Sequence, residues 1–117
     1  MSDRDTTVAE LRKLMAAFVV EREWEPFHDP KNLAASIAIE TAELMEHFQW
    51  TRSDELDQIR RDPDKMAEIR EEVADITAFL LSFANAMDID LSDAFRAKMV
   101  KNAEKYPADE YRGRFKK

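Results

Sequence analysis

An all-α chain built from four long helices is what this sequence predicts, and three observations carry the prediction. Apolar residues return at steps of three and four along most of the 117 positions, and no segment shows the period of two expected of a half-buried strand. Helix formers dominate, glycine occurs only at Gly113, and Pro26, Pro30, Pro63 and Pro107 fall between the apolar runs. Two of those prolines follow an aspartate, Asp29-Pro30 and Asp62-Pro63, which pairs an N-cap with a proline in the first helical turn.

The first helix starts behind Thr7, whose spacing to Glu10 is that of a capping box, and shows Val8, Leu11, Met15 and Phe18 on one face before ending near Glu23. Trp24 to Asp29 makes a short aromatic connection. The second helix runs from Pro30 to about Gln49, and Ser53 to Arg61 adds a polar helical turn. The longest helix opens at Pro63 and carries Met66, Ile69, Val73, Ile76, Leu80, Phe83 and Met87 in one stripe, the pattern of a bundle helix. Asp90 caps the last one, along which Leu91, Phe95, Met99, Asn102 and Tyr106 recur until Pro107 stops it. The expectation is a single domain over residues 1–117, with a core at about 8–107 and a polar tail at 108–117, small enough for a partner subunit to complete its bundle.

Composition narrows the function. A net charge of −7 leaves no basic stripe for a nucleic acid polymer, although Arg112, Arg114, Lys116 and Lys117 cluster at the end. Cysteine is absent, which removes disulfides, thiol catalysis and thiolate metal sites. One glycine cannot build a glycine-rich phosphate loop. No apolar run spans a bilayer and Met1 to Thr7 is polar, so no membrane association and a cytoplasmic setting are expected.

Acidic pairs three apart occur six times, where about five are expected from composition alone, so spacing by itself proves nothing. Setting separates them. Asp54/Asp57, Glu68/Glu71 and Asp90/Asp93 stand among polar residues, as solvated or capping side chains do. Glu40/Glu43 and Glu72/Asp75 are instead embedded in the most apolar helical stretches, where unpaired carboxylates are expensive to hold. Each pair projects from one helix face, and two such helices together offer four carboxylates, an all-oxygen set suited to Mg2+ first and Mn2+ second. Glu46 continues the first series and is read as a surface residue. A di-iron bundle would need two Glu-x-x-His motifs, and the chain has only Glu25-x-x-His28, interrupted by Pro26. His47 follows Glu43 by four and is read as a surface or interface residue.

Other side chains have two readings each. Trp24, Phe27 and Trp50 flank the Glu40/Glu43 helix; packing is the default, and stacking on a nucleobase is the alternative. His28 suits either a structural hydrogen bond or a substrate contact. Lys98, Asn102, Lys105 and Tyr106 share a strip of the last helix, a solvated face by default and a phosphate- and base-binding strip otherwise.

Glu40-x-x-Glu43, twenty-eight intervening residues and Glu72-x-x-Asp75 together resemble the metal-binding signature of the MazG-like all-α nucleoside triphosphate pyrophosphohydrolases. Glu23-Trp-Glu-Pro-Phe-His-Asp-Pro-Lys-Asn-Leu33, the Glu40 to Trp50 segment and Lys98-Met-Val-Lys-Asn-Ala-Glu-Lys-Tyr-Pro107 resemble the dCTP pyrophosphatase family within it, and the likeness covers about residues 8–107. The resemblance implies hydrolysis of a nucleoside triphosphate to monophosphate and diphosphate, in a MazG-like four-helix bundle completed as a homodimer or homotetramer. It implies Mg2+ held by Glu40, Glu43, Glu72 and Asp75, with Glu43 taking the proton of the attacking water. It places Trp24, His28, Asn32, Trp50, Phe79, Lys98, Asn102 and Tyr106 against the substrate. Two positions depart from the animal members: Met15 stands where they carry histidine and Phe79 where they carry tyrosine. Each loses a hydrogen-bonding group, so a preference for cytosine is less firmly implied than the reaction. The rivals are the same chemistry on dUTP or noncanonical purine triphosphates, and a non-enzymatic acidic module whose carboxylates meet a basic partner helix.

Overall fold

The computed structural model describes residues 1–115; Lys116 and Lys117 of the C-terminal basic cluster lie outside the described residues. All regular structure among these residues is helical: α1 (Val8–Glu21), α2 (Pro30–Glu46), α3 (Leu56–Arg60), α4 (Pro63–Met87), α5 (Leu91–Lys105) and α6 (Ala108–Tyr111), with short 3-10 turns at Glu25–Phe27 and Ser53–Glu55. Four side-chain caps set the helix starts. Thr7 Oγ1 accepts from the Glu10 amide at 3.1 Å, Asp29 from Asn32 at 2.9 Å, Asp62 from Asp64 and Lys65, and Asp90 from Asp93 at 2.9 Å.

The ends are less regular than the starts. α1 stops at Glu21 because Glu23 adopts φ 54° and the amides of Glu23 and Trp24 turn back to Val20 and Val19. This is a Schellman closure made with glutamate instead of glycine. α2 stops at Glu46, and the amides of His47 and Phe48 close turns on Leu44 and Met45, short of the expected Gln49. Asp88, at φ 52°, ends α4 in the same left-handed region.

The core lies where α1 and α2 pack against α4, and Val19, Leu33, Ile69, Leu81 and Ala84 are its buried apolar members. The exposed face of each helix differs in part from the sequence expectation. On α1 the inward residues include Arg12 and Val19, whereas Val8 and Phe18 are 41% exposed. Arg12 turns inward because its guanidinium donates to Asn85 Oδ1 (2.9 Å), Ile89 O (2.7 Å) and Ala84 O (3.2 Å), and Asn85 returns a bond to Arg12 O. On α4 the expected stripe divides: Ile69 is buried and Met66, Ile76 and Phe83 are half-buried, but Val73, Leu80 and Met87 face outward. The helix is apolar on more than one side, and a single chain covers only part of it.

The fourth long helix, α5, buries no residue and extends away from the other three, with Phe95, Met99 and Val100 at least half exposed. The tail after Pro107 is not structureless: α6 forms there, and Tyr111 meets the Tyr106 ring edge-on at 5.2 Å. The Cα radius of gyration is 17.4 Å, against about 13 Å for a compact chain of this length. The accessible surface is 9591 Å², against about 6,600 Å² for a folded monomer of this mass. Among the described residues no helix is long and apolar enough to cross a membrane.

Candidate functional site

The packing of α2 on α4 brings two helix faces with carboxylates together. Oxygens of Glu40, Glu43 and Glu72 lie within 4.8 Å of one another, and Glu40 and Glu72 are half-buried while Glu43 is exposed. One oxygen of each inner residue, Glu40 Oε2 and Glu72 Oε2, is fully buried without a hydrogen-bond partner. Ionised carboxylates accept and cannot donate, so three of them side by side leave lone pairs facing lone pairs unless a proton or a cation comes between. Burial, then the contact and charge of Glu43, then Glu72 and the charge of Asp75 push the Glu40 carboxyl up to about 7. Glu72 is pushed in the same direction, by burial first. Asp75 is exposed and stands outside the tight triad, close enough for its charge to act on Glu40. The donor set is oxygen only, and gathered anionic oxygens of this kind fit a hard divalent ion.

His47 belongs to this neighbourhood, and its burial departs from the expected surface role. Its side chain is 15% exposed, with Nδ1 3.7 Å from Glu68 Oε2 and Nε2 3.9 Å from Glu72 Oε1. The signal was its place four residues beyond Glu43, at the C-cap of α2.

An aromatic cluster occupies the other end of α2. The Schellman turn at Glu23 returns Trp24 toward α1, where it meets the Phe18 ring edge-on at 5.8 Å. Trp24 stacks on His28 at 6.2 Å and 21°, and His28 leans on Phe79 of α4 at 6.1 Å. Phe79 follows Asp75 by one turn, so the aromatic cluster and the carboxylates adjoin along α4. His28 Nδ1 lies 2.9 Å from Ser82 Oγ, and beside them is a cavity of about 250 Å³ lined by Ala16, Val19, His28, Ser82 and Asn85 among others. Ser82 went unremarked in the sequence because a serine within an apolar helical run looks the same whether it packs or bonds.

Four of the expected substrate residues are elsewhere. Trp50 is 88% exposed beyond the far end of α2, a helix of 17 residues and so about 25 Å long, and cannot share a pocket with Trp24 in one chain. Lys98 and Asn102 lie on the outlying α5, and Tyr106 caps its C-terminal end. Asn32, at the start of α2, spends its amide locally on Asp29 Oδ2 and Phe27 O.

The MazG-like family's sequence profile matches residues 35–117. The chain is 37% identical over 109 residues to dCTP pyrophosphatase 1 of Bos taurus, covering 93% of this chain and 64% of that protein. It is 36% identical over 104 residues to dCTP pyrophosphatase 1 of Homo sapiens, covering 89% of this chain and 61% of that protein. The chain therefore spans somewhat less than two thirds of the length of these relatives. A crystal structure of a pyrophosphatase from Archaeoglobus fulgidus superposes with a TM-score of 0.79 at 39% identity, covering 92% of this chain and 98% of that one. On the carboxylate pairs, the helical packing and these matches, the chain belongs to the MazG-like family.

Proposed function

We propose that the protein is a nucleoside triphosphate pyrophosphohydrolase that converts a (d)NTP and water to the monophosphate and diphosphate, as a house-cleaning activity on the nucleotide pool. The observation that carries this reading is the pair of buried, partnerless oxygens on Glu40 and Glu72 inside a three-carboxylate cluster. Glu40, Glu43 and Glu72 would hold Mg2+, or Mn2+ in second place, with Asp75 as the fourth carboxylate. When bound, the ion neutralises the triphosphate, orients it and acidifies water. Glu43, the exposed member, takes the proton as water adds to phosphorus and diphosphate departs.

Trp24, His28 and Phe79 hold the base beside that cluster, and Asn32 supports this end of the pocket through the turn it braces. The relatives' name, dCTP pyrophosphatase 1, favours dCTP or a modified dCTP. Trp50, Lys98, Asn102 and Tyr106 complete the pocket from a neighbouring copy, because their positions in one chain do not reach it. A homodimer or homotetramer is supported by the surface excess, roughly 3,000 Å² per chain, which is the scale of obligate subunit interfaces. It is also supported by two apolar grooves between α1 and α4, one of about 410 Å³ that α5 borders with Leu91 and Phe95 beside Leu80, the other of about 390 Å³ lined by Leu14, Met15 and Phe18.

Product analysis after incubation with Mg2+ and each common and several modified nucleoside triphosphates tests the reading. Monophosphate plus diphosphate is expected, with activity lost in Glu72→Gln protein that still folds. Release of single phosphate, or no product from any nucleotide, would refute it.

A further inference from the structure

Ser82 is the buried polar side chain of the core, 5% exposed, and its hydroxyl has one hydrogen-bond partner among the described residues, His28 Nδ1 at 2.9 Å. A buried hydroxyl that does not donate leaves an unsatisfied proton, which is costly in surroundings such as Val19, Ala16 and Ala86. Nδ1 is the acceptor within reach. If Nδ1 carried the ring proton instead, the serine proton would have no partner among the described residues. Donation from Oγ to Nδ1 therefore satisfies both groups and fixes the neutral ring with its proton on Nε2.

The rest of the local structure holds the ring still. The His28 amide donates to Trp24 O (3.1 Å) and Glu25 O (3.2 Å), and the imidazole is flanked by the Trp24 and Phe79 rings. Nε2 has no partner among the described residues, and His28 is only half-buried. We infer that Ser82 is a positioning residue: it donates to His28 Nδ1 and so presents Nε2–H as a fixed hydrogen-bond donor toward the substrate base. This inference rests on the proposed base pocket and deepens it. A fixed donor selects bases by an acceptor on the facing edge, a ring carbonyl or an unprotonated ring nitrogen, and disfavours an amino group there.

Two measurements on the full chain test it. In 15N-histidine-labelled protein without nucleotide, His28 should show an unprotonated Nδ1 and a protonated Nε2. Ser82→Ala should move both nitrogens toward tautomer averaging, and Ser82→Thr, which keeps the hydroxyl beside open cavity space, should restore the wild-type pattern. In competition between nucleoside triphosphates, Ser82→Ala should change the ratio of kcat/KM between the preferred and a disfavoured base by about tenfold. Thr should restore that ratio as well.

A protonated Nδ1 in the wild type, or shifts indifferent to Ser82→Ala, overturns the inference. So does a changed tautomer with an unchanged base ratio, which would leave Ser82 purely structural. If the wild type hydrolyses no nucleotide, the proposed function and the role toward the base fall together, and the spectra still decide whether Ser82 sets the tautomer.

Discussion

Replacing Glu40 by glutamine should stabilise the metal-free protein above neutral pH. The folded state raises the Glu40 carboxyl from 4.5 to about 7. Between those values the folded chain holds a proton that the unfolded chain has released, so the stability tied to this group is fully present below 4.5 and is lost as pH rises through 7. Converted in full, the shift corresponds to about 3 kcal/mol. One oxygen is buried, but the exposed Glu43 side of the cluster admits water, and screening reduces the figure to about 1–2 kcal/mol. Glutamine mimics the protonated state at every pH and adds amide donors against Glu43 and Glu72. Differential scanning calorimetry in chelator, at fixed protein concentration, should therefore give Glu40→Gln a melting temperature about 4–8 °C above wild type at pH 8 and nearly equal to it at pH 5. Added Mg2+ should raise the wild type more than the variant. A variant that melts at or below wild type in chelator at pH 8 would refute the idea that repulsion within this cluster burdens the empty fold.

Leu33, 1% exposed between α2 and α4, should cost about 2–5 kcal/mol on truncation to alanine, measured by urea unfolding; a loss below 1 kcal/mol would deny it the core. Arg12→Ala removes three donated bonds that tie α1 to the end of α4 and should destabilise by about 2–3 kcal/mol in the same assay, with no change meaning that the bonds are exchanged freely for water. Under the proposed assembly the wild type should sediment as an oligomer and Leu80→Asp combined with Phe95→Asp as a monomer; a monomeric wild type would refute the assembly, and an unchanged sedimentation coefficient would refute this interface.

Helix starts were legible because capping is local: Thr7, Asp29, Asp62 and Asp90 each bond an amide two or three residues away, and such chemistry is written in the sequence. The ends were less sharply written: α2 stops at Glu46 and not near Gln49, and Glu23 and Asp88, though close to the expected ends, enter the left-handed region without the glycine that usually marks it. The inward face of α4 was only partly legible because the helix is apolar on two sides, and periodicity does not say which side this chain covers and which it leaves outside. The carboxylate cluster was visible through its apolar setting. Arg12, His47 and Ser82 were not, because their importance depends on partners at the Ile89, Glu68 and His28 positions, brought near only by packing.

The joint between α4 and α5 gives the outlying helix a second meaning. Arg12 bonds Ala84 O and Ile89 O, one on each side of the left-handed Asp88, and the Ile89 amide closes back on Ala84 O at 2.9 Å. α5 is thus a preset arm and not a loose tether. Under the proposed assembly, its direction is decided when the chain itself folds, so association has less backbone freedom left to freeze and gains affinity by preorganisation instead of by added contacts.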